Sequence, residues 1–420
     1  MIIYQVLPRL WGSGHFSDWQ EPEFDYLKTL GVSHIWFTGV PRHATGKPFV
    51  KGNPGSPYAI EDYYDVNPYL ADVESERMDE FKSLINRVHA SGLKLLTDFV
   101  PNHVAREYHG DIPRLNHCDA DWTDTLKIDY NAPGAYDKMY QIVRFWAGLG
   151  VDGVRCDMVE MVPLALFTYI IGKIKAEFPD FKFIAEVYSK EGYRRYVREA
   201  GFDLLYDKSG LYDLLVPLMA DRGDAREISW NWQRLGDLQP HMLNFLENHD
   251  EERLRAPDYA ALGLASLFNG ASFMLYFGEE VGENAARSER RRTSIFNWEK
   301  IPSVEHLVRY IRTGEGLTAT ELQTLERHRS ILSLASRIQS WANYDLCYCN
   351  VGLTGFDSEK HFAFLRYRPD KSEPPVLVAC NFSPLPAAFD LRIPRDARAL
   401  SGWETERVHI ELSQRDISIL

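Results

Sequence analysis

Over roughly the first three-quarters of the chain, short apolar runs alternate with stretches of helical spacing. The runs are Ile2–Leu7, Ser33–Phe37, Lys94–Phe99, Val151–Cys156, Lys182–Glu186, Phe202–Leu205, Met242–Leu246 and Ser272–Tyr276. Each has the length of a buried strand. The segment Met78–Ala90 carries Met78, Phe81, Leu84, Ile85 and Val88 at helical intervals and reads as one of the helices between them. Glycines close two such helices, at Ala90-Ser91-Gly92 and Gly148-Leu149-Gly150. Eight strand–helix repeats point to a (β/α)8 TIM barrel, although an open sheet shares the count. From about residue 345 the pattern shifts to β-rich runs at Leu346–Asn350, His361–Tyr367, Val376–Asn381, Ala388–Ile393, Val408–Leu412 and Asp416–Leu420. These predict a C-terminal antiparallel β-sandwich domain.

Three of the barrel runs lead into acids. Val154-Arg155-Cys156 meets Asp157, Phe183-Ile184-Ala185 meets Glu186, and Phe245-Leu246-Glu247-Asn248-His249 meets Asp250. In a β/α barrel the C-terminal ends of the strands face one mouth, so acids from different strands converge there. Cleavage of a glycosidic bond needs such a set: one carboxylate to attack or stabilise, one acid to donate a proton. Arg155 lies two residues before Asp157, on the same face of the strand, where it can orient Asp157 and keep it ionised. Cys156 should point the other way, into packing. Two long connections, residues 39–75 and 104–129, follow the second and third strands and belong to the same rim.

Composition narrows the picture. The 420 residues carry a formal net charge of −13, which disfavours a nucleic-acid partner. Ten Trp and 22 Tyr supply faces on which sugars stack, although core packing uses most such rings. Five Cys without a CxxC pair suggest neither a disulfide framework nor a zinc site. No run of 18 apolar residues predicts a membrane span, and the start Met1-Ile2-Ile3-Tyr4 reads as a strand rather than a signal peptide, so a cytoplasmic location is expected.

Four motifs resemble those of the α-amylase superfamily, glycoside hydrolase family 13: Asp98-Phe99-Val100-Pro101-Asn102-His103, Gly153-Val154-Arg155-Cys156-Asp157, Ile184-Ala185-Glu186-Val187, and Phe245 to Asp250. Their order matches the third, fourth, fifth and seventh strands of that family's barrel. The resemblance implies that Asp157 is the nucleophile, Glu186 the general acid and then base, and Asp250 the stabiliser of the oxocarbenium-like transition state. It implies sugar contacts from His103 and His249 and places Arg155 with them among the substrate-binding residues. Ser56-Pro57-Tyr58 through Tyr64 is similar to the family stretch whose Tyr stacks on the attacked glucose, which maps to Tyr58. Asp62 is then a structural loop acid, Asp98 an orienter of Arg155, and Asn102 a structural neighbour. The implied division is a catalytic barrel over residues 1–103 and 130–335, a much reduced B domain at 104–129, and the β domain at 336–420.

The chain also departs from the family. So short a segment after the third strand predicts a low or missing cleft wall. The position of a usual calcium ligand falls on Lys127, and an ammonium coordinates no cation, so neither metal nor other cofactor is expected. The second motif continues Met158-Val159-Glu160-Met161, without the Lys-His pair with which many endo-acting relatives grip leaving-group sugars. The expected activity is retaining hydrolysis of α-glucosidic bonds in α-1,4-glucans or maltooligosaccharides. The alternatives are an α-glucosidase or transglycosylase with the same triad, or a non-catalytic carbohydrate-binding protein. Oligomeric state is not legible.

Overall fold

The computed structural model describes residues 1–288 and 290–420. Eight parallel strands close into a barrel: β1 (Ile2–Val6), β2 (His34–Phe37), β3 (Lys94–Phe99), β4 (Gly153–Cys156), β5 (Lys182–Ala185), β6 (Leu204–Tyr206), β7 (Met242–Phe245) and β8 (Ser272–Tyr276). Each strand pairs with its sequence neighbours, and β8 closes onto β1 with Ile2 opposite Phe273. Every predicted barrel strand is present, each within two residues of its expected bounds.

The period-two alternation of a strand separates two cores. Ile3, Trp36, Leu96, Ile184, Tyr206, Leu243 and Met274 fill the barrel interior. Their neighbours, among them Ile35, Leu95, Val154 and Phe183, face the surrounding helices. The helix Arg77–Ala90 buries Phe81, Leu84, Ile85 and Val88, as its spacing predicts. Gly150 ends the helix Ala135–Leu149 at φ +102°, a left-handed turn that suits glycine.

The rim segments hold two small antiparallel pairs, Pro41–His43 with Ile60–Val66 and His103–Ala105 with Thr125–Lys127. The helix Ala319–Ile338 runs past residue 335 and leads into the C-terminal strands. These are β9 (Ala342–Asp345), β10 (His361–Tyr367), β11 (Val376–Asn381), β12 (Ala387–Arg392), β13 (Arg407–Leu412) and β14 (Asp416–Ile419). They form a four-stranded sheet in the order β9-β10-β11-β14 and a two-stranded sheet β12-β13.

One predicted strand is wrong. Leu346–Asn350 is a turn, and the first strand of the domain is the more polar Ala342–Asp345, paired with Phe364–Tyr367. The Asn350 amide bonds back to the Leu346 carbonyl at 2.7 Å and to the Arg392 carbonyl at 3.0 Å, which curls the segment instead of extending it. The short helix Arg395–Ser401, between β12 and β13, had no counterpart in the apolar pattern.

Candidate active site

The backbone ladder continues one residue past the ends of β4 and β5. The Asp157 N–H donates to the Phe99 carbonyl at 2.9 Å, and the Glu186 N–H donates to the Cys156 carbonyl at 3.1 Å. Both acids are therefore fixed at the C-terminal mouth, on the inward face. Cys156 points outward into the helical layer, where burial pushes its thiol pKa up.

Arg155 is the centre of the site. It is fully buried on the barrel axis, with the rings of Tyr58, Trp36 and Tyr206 at 5.3, 5.5 and 5.6 Å from its guanidinium carbon. Its Nη1 lies 2.5 Å from Asp157 Oδ1; its Nη2 lies 2.9 Å from Glu186 Oε1 and 3.9 Å from Asp250 Oδ2. One guanidinium thus gathers all three strand-end acids. Burial alone would lower the pKa of Arg155, but the surrounding carboxylates outweigh it and hold the charge.

Glu186 is shielded from solvent. Burial pushes its pKa up to about 8, Asp157 and Asp250 push the same way, and Arg155 and the Met158 N–H oppose them. It is an acid that keeps its proton at neutral pH. Its orientation is fixed by two donors: the Met158 N–H at 2.8 Å to Oε2 and the Tyr188 hydroxyl at 3.1 Å to Oε1. Met158 adopts φ +46°, a left-handed conformation that costs a non-glycine residue about 1 kcal/mol or more, and this turn aims its amide at Glu186.

Tyr58 and His249 stack with centroids 5.3 Å apart and are joined by a hydrogen bond between the Tyr58 hydroxyl and His249 Nε2. Burial and Arg155 hold the His249 pKa well below its ordinary value, so the ring is neutral. The Gln5 amide donates to its Nδ1 at 2.7 Å, which places the ring proton on Nε2, 3.0 Å from Asp250 Oδ2. His103 is buried beside the Trp122 ring at 5.4 Å, and burial lowers its pKa too.

Asp98 lies beside Arg155 in the β3–β4 register, with Oδ1 4.0 Å from Nη1. It accepts the Gly39 N–H at 3.1 Å, and burial pushes its pKa up to about 7. Asp62 accepts the Tyr64 N–H at 2.8 Å and closes its own turn.

Asn102 and Lys127 meet at Asp119. The Asn102 amide donates to Asp119 Oδ2 at 2.9 Å, and the Lys127 ammonium donates to Oδ1 at 3.0 Å. These groups do not fit a calcium ion. A cationic nitrogen stands against the carboxylate, and Asn102 turns a donor rather than its carbonyl toward it. Among the described residues no cluster of three His, Cys, Asp or Glu side chains is arranged to hold a metal.

The acids open onto a cavity of about 440 Å³, also lined by Tyr58, His103, Tyr188, Arg292 and Phe296. The short segment after β3 supplies part of its wall through Trp122, Asp124 and Thr125, so this side is narrower in sequence but not missing. Tyr188, Trp122, Gln5 and Asp119 were not singled out from the sequence. Tyr188 was within reach, because it lies two residues beyond Glu186. Gln5 comes from a distant strand, and Asp119 and Trp122 lie inside the rim segment 104–129, where no periodicity marks them.

The profile described as "Alpha amylase, catalytic domain" matches residues 21–124. Alpha-amylase 3 of Dictyoglomus thermophilum is 21% identical over 328 residues, covering 66% of this chain and 62% of the relative. In sequence the chain is similar to members of the α-amylase superfamily. A further relative is an α-1,4-glucan:maltose-1-phosphate maltosyltransferase of Cereibacter sphaeroides, 26% identical over 71% of this chain and 48% of its own length. The chain therefore spans between about half and about three-fifths of these curated relatives. In fold, it is similar to a maltogenic α-amylase, AmyB, from Thermotoga neapolitana, with TM-score 0.71 at 20% identity, covering 100% of this chain and 96% of that one. The closed barrel followed by an antiparallel C-terminal sheet domain is the fold the chain shares with that α-amylase.

Proposed function

We propose that the protein cleaves α-glucosidic bonds of α-1,4-glucans or maltooligosaccharides with retention of configuration. The observation that carries this reading is the gathering of Asp157, Glu186 and Asp250 around the one buried guanidinium of Arg155. Asp157, held against Arg155, attacks the anomeric carbon and forms a glycosyl ester. Glu186, protonated at neutral pH, donates its proton to the departing oxygen and afterwards takes one from the incoming water. Asp250, fixed by His249 Nε2–H, faces the developing positive charge and the sugar hydroxyls. Tyr58 offers the stacking face and His103 a hydrogen bond, while neutral His249 holds Tyr58 and Asp250 in place. Asp98 holds Arg155 in place. The names of the relatives above support α-glucan chemistry.

The leaving-group side is built differently from that of endo-acting relatives with Lys-His. Glu160 accepts the backbone N–H groups of Tyr188 at 2.8 Å and Ser189 at 3.1 Å, so it fixes the loop after β5 instead of gripping sugar. We also propose that Lys127 takes the charge that a calcium ion supplies elsewhere. Proton NMR of the first product from an α-linked maltooligosaccharide tests the main reading. An initial α-anomer is expected, and an initial β-anomer would exclude a glycosyl-enzyme route. Transfer to a second sugar in place of hydrolysis would show as products longer than the substrate.

A further inference from the structure

Trp230 is the most exposed tryptophan in the described chain, at 68% of its full accessibility. It sits on the helix Arg226–Leu235, which buries Ile228, Ser229, Asn231 and Leu235. Trp230 therefore occupies the outward face, where a helix ordinarily carries charge. Trp298, exposed at 40%, is covered by the Tyr69 ring at 4.8 Å and by the Arg9 guanidinium at 5.9 Å. Trp230 has no aromatic or cationic neighbour of this kind among the described residues. It borders an open cavity of about 700 Å³ together with Glu227, Asn231, Gln233 and Arg234. One flat apolar ring flanked by hydrogen-bonding groups matches a pyranose, which has an apolar face and a hydroxyl edge.

This cavity is linked to the site through a chain of shared lining residues. Glu251 and Arg292 line both the catalytic cavity and a second one of about 790 Å³. Asp213 lines both that second cavity and the one beneath Trp230. Lys208 ties the path together, 3.4 Å from Glu251 Oε1 and 2.6 Å from Asp213 Oδ1. It begins a π-helical turn, Lys208–Tyr212, of a kind that often marks functional positions. Shared lining residues thus link the acids, across the loops after β6 and β7, to an exposed indole.

We propose that Trp230 is a distal platform that stacks one ring of an α-glucan chain whose reacting bond lies at Asp157 and Glu186. The proposal rests on the α-glucan reading above and makes chain length the quantity this residue selects. The test uses the full chain in two arms. In the first, kcat/KM is measured on amylose and on maltotriose. Trp230→Ala should lower the amylose value about tenfold and change the maltotriose value less than about twofold, and Trp230→Phe should restore most of the loss. Equal effects on both substrates, or none, would overturn the platform. In the second arm, amylose binding is measured by calorimetry in the Asp157→Asn background. Trp230→Ala should weaken it about tenfold. If the wild type cleaves no α-glucan, the activity reading fails, and the binding arm alone judges the platform. Unchanged affinity, or no amylose binding at all, overturns it.

Discussion

Two buried arginines, each ringed by carboxylates, sit at this end of the barrel, and they differ in one respect that decides their roles. Arg155 faces Asp157, Glu186, Asp250 and Asp98. Arg253 pairs with Glu247 at 2.7 Å and lies over the Tyr276 ring at 4.0 Å, with Glu279 and Glu280 buried nearby. Every donor of Arg253 that bonds is answered by protein: the Glu247 carboxylate, the Phe277 carbonyl and the Thr293 hydroxyl. Glu247 also accepts the Leu254 N–H at 2.6 Å, and the cavity beside Glu247 holds only about 10 Å³; Arg253 borders the 790 Å³ cavity too, but its guanidinium is wholly buried. The Arg155 cluster opens onto about 440 Å³ and leaves carboxylate oxygens facing it. Similar charges, closed in one place and open in the other, make a structural clamp and a candidate catalytic centre.

That contrast is open to direct attack. Asp157→Asn should reduce turnover of an aryl α-maltoside by about 10⁴-fold or more while leaving the melting temperature nearly unchanged. Arg253→Met should do the reverse. Leaving Glu247 buried without its partner costs about 3–5 kcal/mol in denaturant unfolding, with the rate per folded molecule preserved. If both substitutions destabilise equally and neither spares activity, the distinction between the two clusters is wrong.

A smaller effect comes from pH. With its pKa at about 8 in the fold and 4.5 as the reference value, Glu186 binds a proton more tightly when folded than when unfolded. Its contribution to stability is present below about 4.5 and is lost as pH rises toward 8. Activity should likewise fall as pH passes about 8, because the general acid loses its proton. Glu186→Gln should flatten that part of the stability profile and abolish the rate. An unchanged profile would mean that Glu186 is already ionised at neutral pH. The smallest expected change concerns the Lys127–Asp119 pair. A chelator should leave the melting temperature unchanged, and Lys127→Met should cost about 1 kcal/mol. A sharp loss of stability with chelator would mean that a metal is bound.

The barrel was legible because each strand is a short apolar run with a polar loop behind it, and because Asp157, Glu186 and Asp250 stand at strand ends where the topology forces convergence. The contact of Arg155 with Asp157 followed from their two-residue spacing on one strand face. Its contact with Glu186 did not, because that depends on the parallel register of β4 and β5. Gln5 as the partner of His249, and Trp122 as the partner of His103, join segments remote in sequence or set in a loop, where no periodicity speaks. Leu346–Asn350 failed because one side chain, Asn350, supplies the hydrogen bonds that a neighbouring strand would have supplied. Trp230 was hidden among ten tryptophans, and only the outward face of its helix sets it apart.

The most direct test of the central claim is to trap the glycosyl ester. The enzyme is incubated with a 5-fluoro-α-glucosyl fluoride, digested, and its peptides are read by mass spectrometry. The sugar is predicted on the peptide that carries Asp157, with Asp157→Asn unlabelled. A sugar bonded to any other residue, or turnover that persists with no labelled peptide, would contradict the assignment.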